Sequence, residues 1–213
     1  MSSLNQVLIT ENQPIGSQAF LLKFKRTFTF KPGQIIGITT QKDIAPRLYS
    51  ICSGSDDSTI SILYTVKEDG VITPKLSELK ISDTIWITEP QGKFTNKGEP
   101  AWWIATGTGI APFYSMMQSG QKPLKLIHGG RTIADLYFHQ QFKAFSDYIK
   151  CCSQDSGEGI FAGRLTSYLD GFDTLPQNLN YYLCGSAEMV VDVRNLLIKK
   201  GVEYHQIITE IYF

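Results

Sequence analysis

Hydrophobic and polar positions follow two different rhythms in the two halves of this chain. In the first half AFLLKFKRT, QIIGITT, RLYSICS, STISILYTV and DTIWITEP are short runs bounded by Gly, Pro, Asp or Ser. Their β-branched and aromatic content predicts strands. Their spacing, roughly ten residues, predicts an antiparallel barrel or sandwich. One helix interrupts them, TPKLSELK, with Thr73 expected as N-cap and Pro74 at the first helical position, where no amide donor is needed.

From Ala101 the rhythm changes. AWWIATG, LKLIHGG and YYLCG are apolar strands that run into glycine, and IFAGR marks a further strand edge. APFYSMMQ, ADLYFHQQFKAF and AEMVVDVRNLLIKKG read as helices. The last spaces Met189, Val190, Val193, Leu196 and Leu197 near the helical period and ends at Gly201. Strands alternating with helices predict parallel βαβ units. Ligands of such sheets lie beyond the carboxyl ends of the strands, where these glycines fall. The polar stretch KFTNKGEP, with Gly98 and Pro100, is the expected boundary. The expectation is therefore two domains: an antiparallel β-barrel over residues 1–97 and an α/β domain with a parallel sheet over residues 98–213.

Composition narrows the classes. The 213 residues suffice for two cores, and the formal net charge of zero argues against a nucleic-acid binder. No apolar run approaches ~18 residues, so no membrane span is expected. The start, MSSLNQVLIT, lacks the charged and apolar regions of a secretion signal. Cys52, Cys151, Cys152 and Cys184 form no CxxC pair and no zinc-like spacing. Reduced thiols in a cytoplasmic protein, without a metal site, are the simplest reading.

Five segments could carry chemistry. In RLYS a strand would put Arg47 and Tyr49 on one face and Ser50 on the other, a layout suited to a flat anionic ligand. In ATGTGIAPF a strand feeds Gly107 and Gly109, and Pro112 sits where a helix would start. Glycine lets backbone amides approach a ligand, and the helix N-terminus suits a pyrophosphate. A tight turn in any α/β domain accounts for the same spacing equally well. YLCGSAEMV repeats the theme: a strand ends at Cys184, Gly185 follows, and a helix starts near Ser186 or Ala187. Cys184 is expected to point into the crevice there, though a free cysteine is more commonly a small buried hydrophobe. EDGVITPKL offers Gly70 and Thr73 as a second phosphate cradle or a plain capped helix. The end, TEIYF, carries aromatics that either pack in a core or cover a flat ligand.

Taken in order, FKPGQ, RLYS, GVITPKL, EPQGKF, ATGTGIAPF, HGGR, YLCGSAEM and EIYF resemble the ferredoxin–NADP reductase superfamily, most of all its compact bacterial ferredoxin/flavodoxin–NADP reductases. The resemblance runs from Phe30 to Phe213. It implies a flavin, usually FAD with FMN the less expected choice, on an N-terminal Greek-key barrel, and NADP(H) on the C-terminal domain. By that resemblance Arg47 pairs with the flavin pyrophosphate, Tyr49 packs on the flavin, and Ser50 hydrogen-bonds near the hydride-accepting N5. Leu48, Leu63, Tyr64 and Thr65 continue the flavin wall. Val71, Ile72 and Thr73 donate to the phosphates, and Thr106 lies where nicotinamide meets flavin. Tyr212 stacks on the isoalloxazine, Phe213 covers the adenine or the outer edge, and Glu210 stands nearby as a charge or proton-relay group.

For the nicotinamide nucleotide, the resemblance gives Gly107, Thr108, Gly109 and Ile110 to the pyrophosphate, and Gly185, Ser186 and Ala187 to the nicotinamide side, with Cys184 shaping the pocket. Gly130 with Arg131, Ser153 with Gln154, and Arg164 fall at the 2′-phosphate positions. Gln154 departs from the family cation there, while two arginines remain for NADPH. The chain lacks a Cys-x4-Cys-x2-Cys run in its first half, so electrons would leave to a separate ferredoxin or flavodoxin. The alternatives are an NADH-dependent electron-transfer subunit of an oxygenase or dehydrogenase, and a non-catalytic nucleotide-binding module.

Overall fold

The structure, a computed structural model, describes residues 3–16, 18–96 and 98–212. The chain packs as two compact units. One comprises residues 1–96 with 111–120, the other residues 97–110 with 121–213.

The first unit is a six-stranded antiparallel sheet of β1 (Asn5–Ile15), β2 (Ala19–Lys25), β3 (Ile35–Thr39), β4 (Arg47–Ser50), β5 (Thr59–Thr65) and β6 (Thr84–Ile87), in the order β4-β3-β6-β1-β2-β5. A bridge between Ile51 and Ile62 brings the two sheet edges together, so the sheet curls on itself. The inward side chains of alternate positions form its core: Ile9, Leu22, Phe24, Ile36, Ile38, Ile60, Ile62 and Ile85 are buried. Each such side chain contributes about 1.5–3 kcal/mol of burial. Helix α1 (Thr73–Glu78) adds Leu76 to the same core. Thr73 is not the N-cap. Ile72 holds that position without a side-chain bond, because the Thr73 hydroxyl accepts the Lys67 amide at 3.0 Å. Helix α2 (Ala111–Gln118) also packs in this unit, where the Ser115 hydroxyl donates to the Ser53 carbonyl at 2.6 Å and Phe94 meets Phe113 edge-on.

The second unit is a six-stranded parallel sheet of β7 (Ala101–Thr106), β8 (Lys125–Gly130), β9 (Tyr148–Cys152), β10 (Ile160–Ala162), β11 (Asn180–Ser186) and β12 (Ile207–Tyr212), in the order β10-β9-β8-β7-β11-β12. Helices α4 (Leu165–Asp170) and α5 (Ala187–Lys199) cover one face, where Leu165, Leu169, Val190, Val193 and Leu197 meet Ile104, Ile127, Tyr181 and Leu183. On the other face His128 is wholly buried beside Tyr148 and Phe142.

Two features differ from the pattern-based expectation. ADLYFHQQFKAF is not one helix. A 3-10 turn at Ile133–Asp135 and a short α3 (His139–Phe142) flank Phe138, whose φ is 61°. Leu136, Tyr137 and Phe138 are consecutive and all buried, which a helix with one apolar stripe cannot achieve. Strands β1, β9 and β12 were not legible as strands. In β1 a register shift between Ile9 and Glu11 breaks the alternation.

Candidate functional site

In the first unit the ladder pairs Arg47 with Ile38 and Tyr49 with Ile36, so both lie on the core face of β4, with Leu48 turned to the opposite face and 55% exposed. The Arg47 guanidinium is exposed and has no carboxylate partner among the described residues. Tyr49 is half-buried. Burial pushes its phenol up to about 12, moderated by the Arg47 charge. Ser50 is buried, as are Leu63 and Tyr64 on β5, while Thr65 is half-buried. The Tyr64 ring stacks on Phe20 at 5.5 Å and meets Tyr49 edge-on at 6.3 Å.

The loop before α1 is built by two bonds to Lys67: the Gly70 amide donates to its carbonyl at 2.8 Å, and its amide donates to Thr73 Oγ1. The amides of Val71, Ile72 and Thr73 have no acceptor among the described residues. Three unclaimed amides, an unpaired guanidinium and a half-buried ring fit the phosphates and ring of a flavin nucleotide. The group would supply a planar acceptor and the anion that Arg47 lacks.

In the second unit β7 ends at Thr106 and passes into a 3-10 turn, Gly107–Ile110. Gly107 has φ 54°, the left-handed region that favours glycine, and a Cβ there would stand in open space. Gly109 is needed for a different reason: a Cβ would lie 2.3 Å from the Cys184 carbonyl oxygen. Gly185 leaves no room either, since a Cβ would meet Thr106 Oγ1 at 2.4 Å and Met189 Cε at 2.5 Å. Gly109 thus lets the turn after β7 pack directly on the backbone at the end of β11. Ser186 caps α5, its hydroxyl accepting the Met189 amide at 3.3 Å, and Ala187 opens the helix.

Cys184 is wholly buried. Burial and the Glu210 carboxylate, its neighbour across β11–β12, hold the thiol well above its usual range against a hydrogen bond with Tyr212. It is therefore neutral. Phe213 lies outside the described residues.

The loops after β8 and β9 are tied by backbone bonds, Ser153 N to Gly130 O at 3.1 Å and Gln154 N to Arg131 O at 2.8 Å. Arg131, Ser153 and Gln154 are exposed on these adjacent loops, and Arg164 follows β10 with a loose ion pair to Glu188 at 3.9 Å. Two residues that sequence reading passed over fasten this region. Asp155 Oδ2 accepts the Ile133 amide at 2.7 Å, and Asp135 Oδ2 accepts the Thr132 amide at 2.9 Å. The Asp135 contact was legible as a Thr-x-x-Asp capping box; the Asp155 contact spans 22 residues and left no local signal.

Comparisons with known proteins agree with both halves. The family model described as Oxidoreductase FAD-binding domain matches residues 9–96, and that described as Oxidoreductase NAD-binding domain matches residues 103–195. The flavodoxin/ferredoxin–NADP reductase of Rhodobacter capsulatus is 31% identical over 86% of this chain and 81% of its own. The toluate 1,2-dioxygenase electron transfer component of Pseudomonas putida is 28% identical over 93% of this chain, which spans 64% of that protein. A ferredoxin NADP+ reductase structure from Neisseria gonorrhoeae, described as holding FAD and NADP, shares the fold with a TM-score of 0.88 at 20% identity over the full length of both chains.

A flavin-binding antiparallel sheet followed by a nicotinamide-nucleotide-binding parallel sheet defines a flavin oxidoreductase. With the domain matches and the Rhodobacter relative in hand, the chain belongs to the ferredoxin–NADP reductase superfamily.

Proposed function

We propose that this protein is a ferredoxin/flavodoxin–NADP(+) reductase that binds FAD on β4, β5 and the loop leading into α1, and NADP(H) at the carboxyl ends of β7, β8, β9 and β11. A bound flavin supplies hydride acceptance and single-electron release, which nicotinamide and a one-electron carrier need in combination. The residues supply placement. Arg47 neutralises the flavin phosphates with a planar guanidinium. Val71, Ile72 and Thr73 donate to them, and Tyr49 and Tyr64 form the apolar wall, while Leu48, Leu63 and Thr65 alternate with them along β4 and β5 and face the other way. Ser50 serves as the hydrogen-bonding group at the reacting edge.

For the nicotinamide nucleotide, Gly107 to Ile110 hold the pyrophosphate, Gly185 to Ala187 the nicotinamide side, and Cys184 shapes the pocket as a neutral thiol. Thr106 is placed beside the nicotinamide. Arg131 and Arg164 attract the 2′-phosphate, with Ser153 as a hydroxyl partner. The observation that carries the reading is that the chain has, among the described residues, an Arg47 without a carboxylate partner, three amides at Val71, Ile72 and Thr73 without an acceptor, and a glycine turn at the end of β7. The electron partner is proposed to be a separate ferredoxin or flavodoxin, and the setting cytoplasmic, in keeping with four buried free cysteines.

A second reading has its own support. Gln154 stands where a cation is expected, and the Pseudomonas relative is an oxygenase electron transfer component. NADH would then be the donor. Mass spectrometry of the released flavin, with steady-state turnover on NADPH and NADH, tests both. The first reading expects FAD and a lower KM for NADPH. A lower KM for NADH favours the second, and a preparation that neither carries nor binds flavin refutes both.

A further inference from the structure

The register shift in β1 has a result that no local pattern reveals. Ile9 pairs with the buried Phe24, Glu11 with the outward Lys23, and Asn12 with the buried Leu22. Glu11 and Lys23 form an ion pair at 3.0 Å on the outer face. The extra residue of the bulge therefore turns Asn12 to the same inner face as Ile9, where an unbroken strand would have turned it out. Bulges commonly re-aim a side chain next to a functional site.

Turned inward, the Asn12 amide uses both of its donors and one acceptor site. Nδ2 donates to the Leu76 carbonyl at 2.7 Å and to the Leu79 carbonyl at 2.9 Å, and Oδ1 accepts the Tyr64 hydroxyl at 3.0 Å. Leu76 and Leu79 lie at the carboxyl end of α1, where the Leu76 carbonyl also accepts the Leu79 amide at 3.2 Å and Asn12 adds a second donor. Two donors and one acceptor in this arrangement are what a carboxamide offers. An aspartate cannot donate, and an apolar side chain satisfies none of the three groups.

We propose that Asn12 is a positioning residue for the flavin: by tying the end of α1 to Tyr64, it fixes the helix that follows the Val71–Thr73 loop and the ring that meets Tyr49 edge-on. This rests on the flavin reading given above. Asn12 itself touches no ligand in this scheme. Its effect passes through α1 to the phosphate donors and through Tyr64 to the aromatic wall.

FAD titration into the full chain, followed by flavin fluorescence and visible circular dichroism, tests it on the wild type, Asn12→Ala, Tyr64→Phe, the double variant and Glu11→Gln as an outward-facing control. The FAD Kd is expected to rise about tenfold in Asn12→Ala and about threefold in Tyr64→Phe, in line with one to a few hydrogen bonds lost. The double variant is expected to match Asn12→Ala, because the two changes break one network. The circular dichroism of the bound flavin changes in all three, and Glu11→Gln matches the wild type. A folded Asn12→Ala protein with wild-type Kd and wild-type dichroism overturns the proposal, even if its urea midpoint has dropped. Should Asn12→Ala not fold, an unaltered Kd and dichroism in Tyr64→Phe overturns it. If the wild type takes up no FAD, the flavin reading itself fails, a result separate from any difference among the variants.

Discussion

Gly107 and Gly109 sit two residues apart in one turn, yet the structure demands glycine at each for opposite reasons. At Gly109 an added Cβ would lie 2.3 Å from the Cys184 oxygen, 2.5 Å from its carbonyl carbon and 2.7 Å from the Gly185 Cα. Cβ atoms keep at least 3.0 Å, so the shortest contact falls 0.7 Å short. All three obstacles are backbone atoms, and no rotamer change relieves them. Overpacking costs about 1–3 kcal/mol where side chains can shift, so Gly109→Ala is expected at or above the upper end, about 3 kcal/mol. At Gly107 space is open, and the cost is the positive φ alone, about 1–2 kcal/mol for alanine. Asparagine tolerates that conformation better, so Gly107→Asn should lose no more than about 1 kcal/mol while projecting a side chain toward the proposed pyrophosphate. Urea unfolding gives the stabilities, and steady-state kinetics gives the nucleotide KM. Gly109→Ala should unfold at a clearly lower urea concentration. Gly107→Asn should stay near wild type in stability with a KM for NADPH raised about tenfold or more, the loss of one to two phosphate bonds. A Gly109→Ala protein with the wild-type midpoint refutes the close approach of the Gly107–Ile110 turn to the end of β11. A Gly107→Asn protein with unchanged KM refutes the phosphate assignment.

Replacing Arg47 by Ala should raise the FAD Kd about tenfold to a hundredfold, the scale of a lost charge-assisted hydrogen bond; fluorescence titration checks this, and an unchanged Kd counts against it. His128 is buried with Nδ1 at 3.2 Å from the Tyr148 hydroxyl and Nε2 without a partner among the described residues, and burial, with a smaller contribution from His139, pushes it down to about 3 from 6.5. The unfolded chain therefore binds the extra proton first, and stability falls as pH drops below 6.5 toward 3. The loss from this group is about 1 kcal/mol between about pH 7 and about pH 5.5. Urea midpoints at the two pH values should differ less in His128→Leu than in wild type; an identical pH dependence in the two proteins refutes the neutral buried imidazole. All four cysteines are buried, and burial raises each thiol, Cys151 to about 12. A thiol reagent should label the native protein slowly and four sites in denaturant, whereas one fast native thiol contradicts that burial.

Period-two runs located β2 to β6, and glycine-terminated apolar runs located β7, β8 and β11, because in each the apolar face matches the backbone period. Helix α5 was equally plain, with Val190, Val193 and Leu197 on one face. What failed had physical causes. A bulge hid β1, and consecutive burial of Leu136, Tyr137 and Phe138 broke a helix that local composition favours. At Thr73 the hydroxyl turns to Lys67, so the expected cap is absent. In the candidate site the strand RLYS and the turn at Gly107–Ile110 were legible from spacing. Asn12 was not, since a polar residue in a strand reads as outward and its partner carbonyls lie 64 and 67 residues away. The latch at Asp155 likewise depends on loops brought together by the parallel sheet.

Under either reading one chain holds a redox flavin and takes reducing equivalents from a nicotinamide nucleotide. Anaerobic mixing of FAD-loaded protein with NADPH or NADH, followed by the visible flavin band, tests it most directly. Rapid bleaching by at least one of the two is expected, faster with NADPH under the first reading, with recovery of the band when a one-electron acceptor protein is added. A flavin that stays oxidised with both nucleotides would contradict it.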